Sequence, residues 1–280
     1  MADAWPSISK ELASRGFVEG QNLIADVRVG TPDQLRTLAW DLVATRPDVI
    51  LAVSSALGAT GTLTKEIPIV AYGPDPVEQG LAESHARPGG NVTGVAIFNA
   101  QLDGKRLELL AEAVPGQRMA VLLSPNTPSA VQSRRSVEAV ARHLGVAPLL
   151  VEANGPEDYA ATFTVLRNTG VKALVITATA WFNRDRDLLG RMAREAGIVT
   201  VCEWADMAQS ACTMGYGPLR SDLFDRVAHQ IARVLQGAHP RDIPIEQPTK
   251  FELIINDKAA KSIGATISSS LLARADEVIE

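Results

Sequence analysis

The sequence contains only two cysteines, Cys202 and Cys212, in 280 residues. Two cannot build a disulfide framework, and they fit neither a Cys-x-x-Cys motif nor a His/Cys metal spacing. The simplest expectation is a pair of buried thiols. Long apolar runs are lacking too: the longest, 49–53 and 119–123, fall far short of the roughly 18 residues a membrane-spanning helix needs. Charge is nearly balanced, with 27 basic against 32 acidic residues and a net charge of −5. That mild acidity is spread along the chain and gives no electrostatic reason to bind nucleic acid or an anionic membrane. The opening residues Met1-Ala2-Asp3-Ala4-Trp5-Pro6 carry neither the basic nor the apolar region of a signal peptide.

Catalytic signatures are equally scarce. GxSxG, Walker, HExxH and a strand-following GxGxxG are not found. His85, His143, His229 and His239 fall in or beside helical segments, where a solvated or structural role is expected rather than a place beside a nucleophile and a carboxylate. The glycine-rich stretch 87–94 precedes a strand, so turn geometry explains it better than phosphate binding. No metal or cofactor is expected.

What is present is an ordinary core-forming composition, 46% apolar and 21% charged, over a length that suggests about two domains. Short β-branched runs alternate with amphipathic stretches, the pattern of parallel sheets with crossover helices. Strands are expected at 22–28, 48–53, 67–71, 92–97, 118–123, 147–152, 173–177, 199–202 and 212–216, with a further strand-like run at 251–255. Thr31-Pro32-Asp33-Gln34 combines an N-cap, a first-turn proline and a capping-box partner for the following helix. Gly155-Pro156 opens another helix, whose inner face would be Tyr159, Phe163 and Leu166, closed by Gly170. A third helix carries Phe224, Val227, Ala228, Ile231 and Val234. A helix over 101–113 followed by Pro115-Gly116 marks passage from one α/β lobe to the other, and the proline-rich 240–248 suggests a later return crossing.

In open parallel sheets, ligands bind beyond the carboxyl ends of strands, where helix N-termini direct unpaired N–H groups outward. This rule selects Ser54, Ser55 and Ala56, then Tyr72 and Asp75, Phe98, and Asn126 in the loop 124–128. In the second half it selects Thr177, Ala178 and Trp181, then Trp204 and Tyr216. Serines at a helix start suit a carboxylate, and aromatics suit a flat or apolar ligand. For any single Ser or Thr an ordinary helix cap remains the commoner use, and any one aromatic serves a core as readily as a ligand.

Several segments together resemble a known family. They are Gly16-Phe17-Val18-Glu19-Gly20-Gln21-Asn22, Asp75-Pro76-Val77, the run 86–94, Lys105-Arg106-Leu107-Glu108-Leu109-Leu110, the run 247–256 and the terminal 270–279. In this order they are similar to the ABC-transporter substrate-binding proteins of the tryptophan-binding (TrpX-like) kind, over essentially the whole chain. The resemblance implies a type I periplasmic-binding-protein fold: two doubly wound parallel-sheet lobes, a hinge, and a ligand cleft that closes on binding. Residues 1–98 and 216–240 would form one lobe, 99–215 and 241–280 the other. By that likeness Ser54, Ser55 and Ala56 hold a carboxylate, 72–76 form one wall, and the loops 124–127 and 177–182 form the facing wall. The partners it implies are a small-molecule ligand and ABC permease subunits, and the location a periplasmic or lipid-anchored extracellular one.

Two departures stand out. Where the family usually reads Ser-Asp-Pro, this chain has Thr177-Ala178-Thr179, so an acidic partner for a ligand amino group is not expected there. That favours an amine-free aromatic or branched carboxylate over a zwitterionic amino acid. The second departure is at the start, where 5–15 already reads as the helix that follows the family's first strand. In a 2-1-3-4-5 sheet that strand is central, so either the polypeptide begins upstream or another segment fills its place. The reading is therefore a non-enzymatic solute-binding component of an ABC importer. Its rivals are a cysteine-dependent racemase or isomerase, which wants one thiol from each lobe, and a regulator's effector domain, which lacks a preceding basic or helix-turn-helix segment.

Overall fold

Apolar runs too short to be helices become strands, and the amphipathic stretches between them become crossovers. The computed structural model describes residues 4–31, 33–125, 127 and 129–280. In chain order the elements are α1 (Ala4–Ala13), α2 (Leu35–Ala44), β1 (Ile50–Val53), α3 (Ala56–Leu63), β2 (Ile69–Gly73), β3 (Val92–Ala96), α4 (Asn99–Ala113), β4 (Met119–Leu123) and α5 (Ala130–Leu144). They continue with β5 (Leu149–Glu152), α6 (Pro156–Asn168), β6 (Ala173–Ile176), α7 (Ala180–Arg184), α8 (Arg186–Glu195), β7 (Val199–Cys202), β8 (Met214–Pro218) and α9 (Arg220–Leu235). The chain closes with β9 (Phe251–Asn256), α10 (Asp257–Ser262), α11 (Ser269–Leu272) and β10 (Glu277–Ile279).

These elements fall into two units, Met1–Phe98 with Leu219–Lys250, and Asn99–Pro218 with Phe251–Glu280. The sequence puts the later crossings at 215/216 and 240/241. Strand pairing explains the difference. β8 runs on to Pro218 because Pro218 opposes Phe251. The proline-rich return stays with the first unit because Glu246 exchanges backbone hydrogen bonds with Gly94 and Ala96 beside β3, both at 2.9 Å.

In the first unit the described residues form a parallel sheet in the order β1-β2-β3. Ile50, Ala52, Leu57, Ile69, Ala71 and Val92 make its core, and complete burial of each large aliphatic contributes about 1.5–3 kcal/mol. The expected strand at 22–28 does not form. Asn22 closes a turn by accepting from Val18 N and donating to Gly16 O, and only the bridge Glu19–Leu23 precedes an irregular run. β-propensity without a neighbouring strand to complete the backbone hydrogen bonds is not enough. Ile24, Val27 and Val29 consequently lie in solvent at 95%, 54% and 68% exposure. No strand precedes β1 among the described residues, and its edge away from β2 is unpaired. The capping box is half realised. Gln34 accepts from Thr31 N at 3.0 Å, yet α2 begins only at Leu35 with Gln34 as N-cap, and Pro32 lies outside the described residues.

The second unit holds a sheet ordered β10-β9-β8-β7-β6-β4-β5. Its pairs are parallel except β8–β9, which is antiparallel. β4, β6 and β7 are buried along their whole length, as expected for strands covered on both faces. α6 begins at Pro156 behind Gly155 and buries Tyr159, Phe163 and Leu166, as its sequence pattern predicts.

Candidate functional site

In each unit the described residues selected from the sequence lie at or near the carboxyl ends of the parallel strands, with Tyr216 inside β8. In the first unit, Ser54 follows β1 with φ +54°, the left-handed region, and donates its N–H to Tyr72 O at 3.0 Å. Gly73, at the exit of β2, has φ +117°, a backbone conformation that favours glycine. Ser55 is the N-cap of α3, but its hydroxyl makes no capping bond, and the side chain is exposed. Ser54-Ser55-Ala56 thus presents a helix N-terminus with a hydroxyl not used by the helix.

Tyr72 is turned inward, 8% exposed, with its ring 6.0 Å from Phe224 of α9. Asp75 organises its own loop: Oδ1 accepts from Val77 N at 2.9 Å, and Oδ2 lies 2.9 Å from His85 Nε2. His85 also meets Phe98 edge-to-face at 6.1 Å. Asp75, His85 and Phe98 therefore form one constellation. Sequence reasoning missed His85, because Asp75 and His85 are brought together by tertiary folding of the 74–91 loop.

In the second unit Asn126 lies outside the described residues. Thr177 is buried and its hydroxyl donates to Leu122 O at 2.8 Å. Ala178 directs its N–H at Asp103 Oδ1, 3.4 Å away. Thr179 caps α7 by accepting from Phe182 N at 3.1 Å. Trp181 lies under the Arg184 guanidinium, 5.1 Å from the ring centroid, and Arg184 grips Asp185 through two nitrogens at 2.7 and 2.8 Å. Those bonds, against the cost of burial and aided by Tyr159 O–H, hold the Asp185 carboxyl below its ordinary range. Burial, then the bond to Asp185, pushes the Tyr159 phenol up. Trp204 follows β7 and is 8% exposed, while Tyr216 in β8 stacks on Phe251 at 6.1 Å.

Two features here had gone unread. Arg106 of α4 has no exposed side-chain surface. It donates from Nε to Tyr216 O at 3.0 Å, from Nη1 to Asp103 Oδ1 at 2.7 Å and from Nη2 to Glu203 O at 3.0 Å. Asp103 Oδ2 in turn accepts from Ser133 Oγ of α5 at 2.6 Å. The only sequence signal was the i,i+3 spacing of Asp103 and Arg106 on a helix whose Leu107, Leu109 and Leu110 are core.

The second is covalent. Cys202 and Cys212 are joined by a disulfide, which corrects the expectation of two buried thiols. Their proximity arises because the segment after β7 turns back through 205–209 to start β8, placing the two Cα atoms 6.2 Å apart. A joined pair offers no thiolate, which removes the nucleophile a cysteine-dependent racemase needs.

Gly217 is required by close packing, since a Cβ there would lie 2.1 Å from Glu203 O. Gly217→Ala must displace the same carbonyl that Arg106 holds. The expected cost is about 1–3 kcal/mol of stability, seen in urea unfolding. An unchanged midpoint would show that this packing is slack.

No cluster of three or more His, Cys, Asp or Glu suited to a metal occurs among the described residues. Among the described residues, no helix is long and apolar enough to cross a membrane. Compared with known families, residues 2–279 match the model described as ABC transporter substrate binding protein. The chain belongs to this family. It is 25% identical over 264 residues to the tyrosine-binding protein of Clostridioides difficile (strain R20291), covering 91% of this chain and 74% of that protein. Among solved structures it is similar to a conserved domain protein from Vibrio cholerae, with TM-score 0.89, 22% identity, and 98% and 94% of the two chains covered. It is likewise similar to the ABC domain from Streptococcus pneumonia in complex with L-Trp, with TM-score 0.88, 23% identity, and 99% and 94% covered. These structures share its type I periplasmic-binding-protein fold. This ABC substrate-binding protein is the solute-binding component of an importer. It binds a small organic ligand and is not an enzyme.

Proposed function

We propose that the substrate-binding protein captures a small aromatic or branched carboxylate at its strand exits: Ser54-Ser55-Ala56 suits an acid group, and Trp181 suits an apolar body. One observation carries the choice of acid over amino acid. The selected strand-exit carboxylate Asp75 in the first unit, and Asp103 and Asp185 in the second, are already engaged with His85, Arg106 and Arg184, and position 178 is alanine. A ligand ammonium would have to break one of these pairs, which costs more than an exposed salt bridge returns. The tyrosine- and tryptophan-binding relatives support the aromatic class. The partner that receives the loaded protein is the permease of its importer. The Cys202–Cys212 bond supports a location outside the reducing cytosol, in the periplasm or anchored outside the cell.

A thermal-shift and calorimetric panel tests the ligand class. It compares L-tyrosine and L-tryptophan with 4-hydroxyphenylacetate, indole-3-acetate and isovalerate. Ligand at 100 times its Kd adds about 2.7 kcal/mol to the folded state. The deaminated acids are expected to bind at least about tenfold more tightly than the amino acids, a difference of about 1.4 kcal/mol. Tighter binding of the zwitterions would overturn the choice.

A further inference from the structure

Three segments of the second unit, two bonded to Arg106 and one to Asp103, meet at one buried ion pair. The Arg106 guanidinium holds Glu203 O just after β7 and Tyr216 O within β8. Its partner Asp103 takes Ala178 N after β6 and Ser133 Oγ on α5. Both side chains are wholly buried, and α4 packs against β6, β7 and β8. Each of the three segments also carries a residue selected as a ligand contact: Thr177 and Ala178, Trp204, and Tyr216.

A buried ion pair is a poor device for stability alone, because desolvation offsets most of its attraction and an apolar pair of similar volume does as well. What an apolar pair cannot supply is direction. A planar guanidinium fixes three acceptors at set angles, and a lysine ammonium does not reproduce that fork. Two of those acceptors are backbone carbonyls, one just past the end of β7 and one within the neighbouring β8. Their placement sets where the following side chains point.

We propose that Asp103 and Arg106 are positioning residues for ligand capture, with one buried ion pair setting the geometry of the β6, β7 and β8 exits. This rests on the reading that these exits touch the ligand. Burial pushes the Asp103 carboxyl up, against the pull of Arg106 and Ser133, so the carboxylate depends on both donors. Ser133 therefore belongs to the same device.

The test compares wild type, Arg106→Lys and Ser133→Ala as full-length chains by site-resolved amide hydrogen exchange without ligand. It is followed by calorimetry with 4-hydroxyphenylacetate, indole-3-acetate, L-tyrosine and L-tryptophan. Arg106→Lys keeps the charge opposite Asp103 but loses the fork. Exchange at 177–182 and 203–206 is expected to quicken roughly tenfold while β4 and β6 interiors stay as in wild type. Affinity for whichever probe wild type binds is expected to fall about tenfold. Ser133→Ala, which leaves the ion pair intact, should move both readouts in the same direction by about twofold to threefold; it decides the matter if Arg106→Lys does not fold. Exchange that rises equally across β4 and β6, or exits and affinity that do not change, would overturn the positioning role. If wild type binds none of the probes, the ligand reading fails while the exchange pattern still decides the role of the pair.

Discussion

Asp103→Ala is expected to lower the unfolding free energy of the second unit by about 3–5 kcal/mol, the usual cost of leaving one partner of a buried pair unmatched. The Arg106 guanidinium has no exposed side-chain surface, so it cannot reach water without opening the packing of α4 on the sheet. Removing both charges should cost less than removing one: Asp103→Leu with Arg106→Met leaves Ser133 Oγ, Glu203 O and Tyr216 O short of a partner but buries no lone charge. The measurement is urea unfolding in a Trp5→Phe, Trp40→Phe background, where the remaining fluorescence comes from Trp181 and Trp204 of the second unit. Two units need not unfold together, so the reporter must sit in the unit being tested. A double variant as unstable as the single one would show that directional bonds, not the stranded charge, dominate the energetics. A single variant within 1 kcal/mol of wild type, roughly the effect of an ordinary surface change, would show that the pair is solvated by some route.

How legible this was in the sequence depends on how local the physics is. β7 is read to the residue at 199–202, and β4 and β6 to within one residue at either end, because strands buried on both faces leave largely apolar runs; β9, exposed at Phe251, is also read to within one residue. α6 is equally plain because Gly155-Pro156 and Gly170 punctuate it. The run 22–28 has the same β-rich composition and fails, since a strand also requires a neighbour, and composition says nothing about neighbours. The late crossings fall elsewhere for a related reason: Glu246 stays in the first unit through its backbone hydrogen bonds with Gly94 and Ala96 of β3, far earlier in the sequence. The site divides in the same way. Strand exits are legible by rule, which is why Ser54, Thr177 and Trp204 were found at the carboxyl edge. Asp75–His85, Asp103–Arg106 and Cys202–Cys212 are pairings, and each partner alone looks like an ordinary surface or core residue.

The disulfide carries the second large effect. It closes a short loop, with the two cysteines 10 positions apart, around Glu203, Trp204 and the turn 205–209. Chain-entropy arguments assign about 3 kcal/mol to a 15-residue loop and slightly less to one of this size. Cys202→Ser with Cys212→Ser is therefore expected to lower the Tm of the second unit by roughly 5–10 °C, at about 2–4 °C per kcal/mol for a unit of this size. Because both cysteines are nearly inaccessible, at 2% and 3% exposure, dithiothreitol should act on the folded protein only through opening of the loop, and refolding under reduction should reproduce the double-serine Tm. Alkylation of the unfolded, unreduced chain gives the complementary measurement: it should label neither cysteine, and labelling of both would remove the bond and the argument for an oxidising compartment together. The loop also bears on ligand capture. Glu203 O is held from one side by Arg106 and its segment is tethered on the other by Cys202–Cys212, so in the double-serine protein the ion pair must hold that exit unaided. Its ligand affinity should then fall further on Arg106→Lys than wild-type affinity does, and simple additivity of the two changes would mean that bond and ion pair act on separate parts of the site.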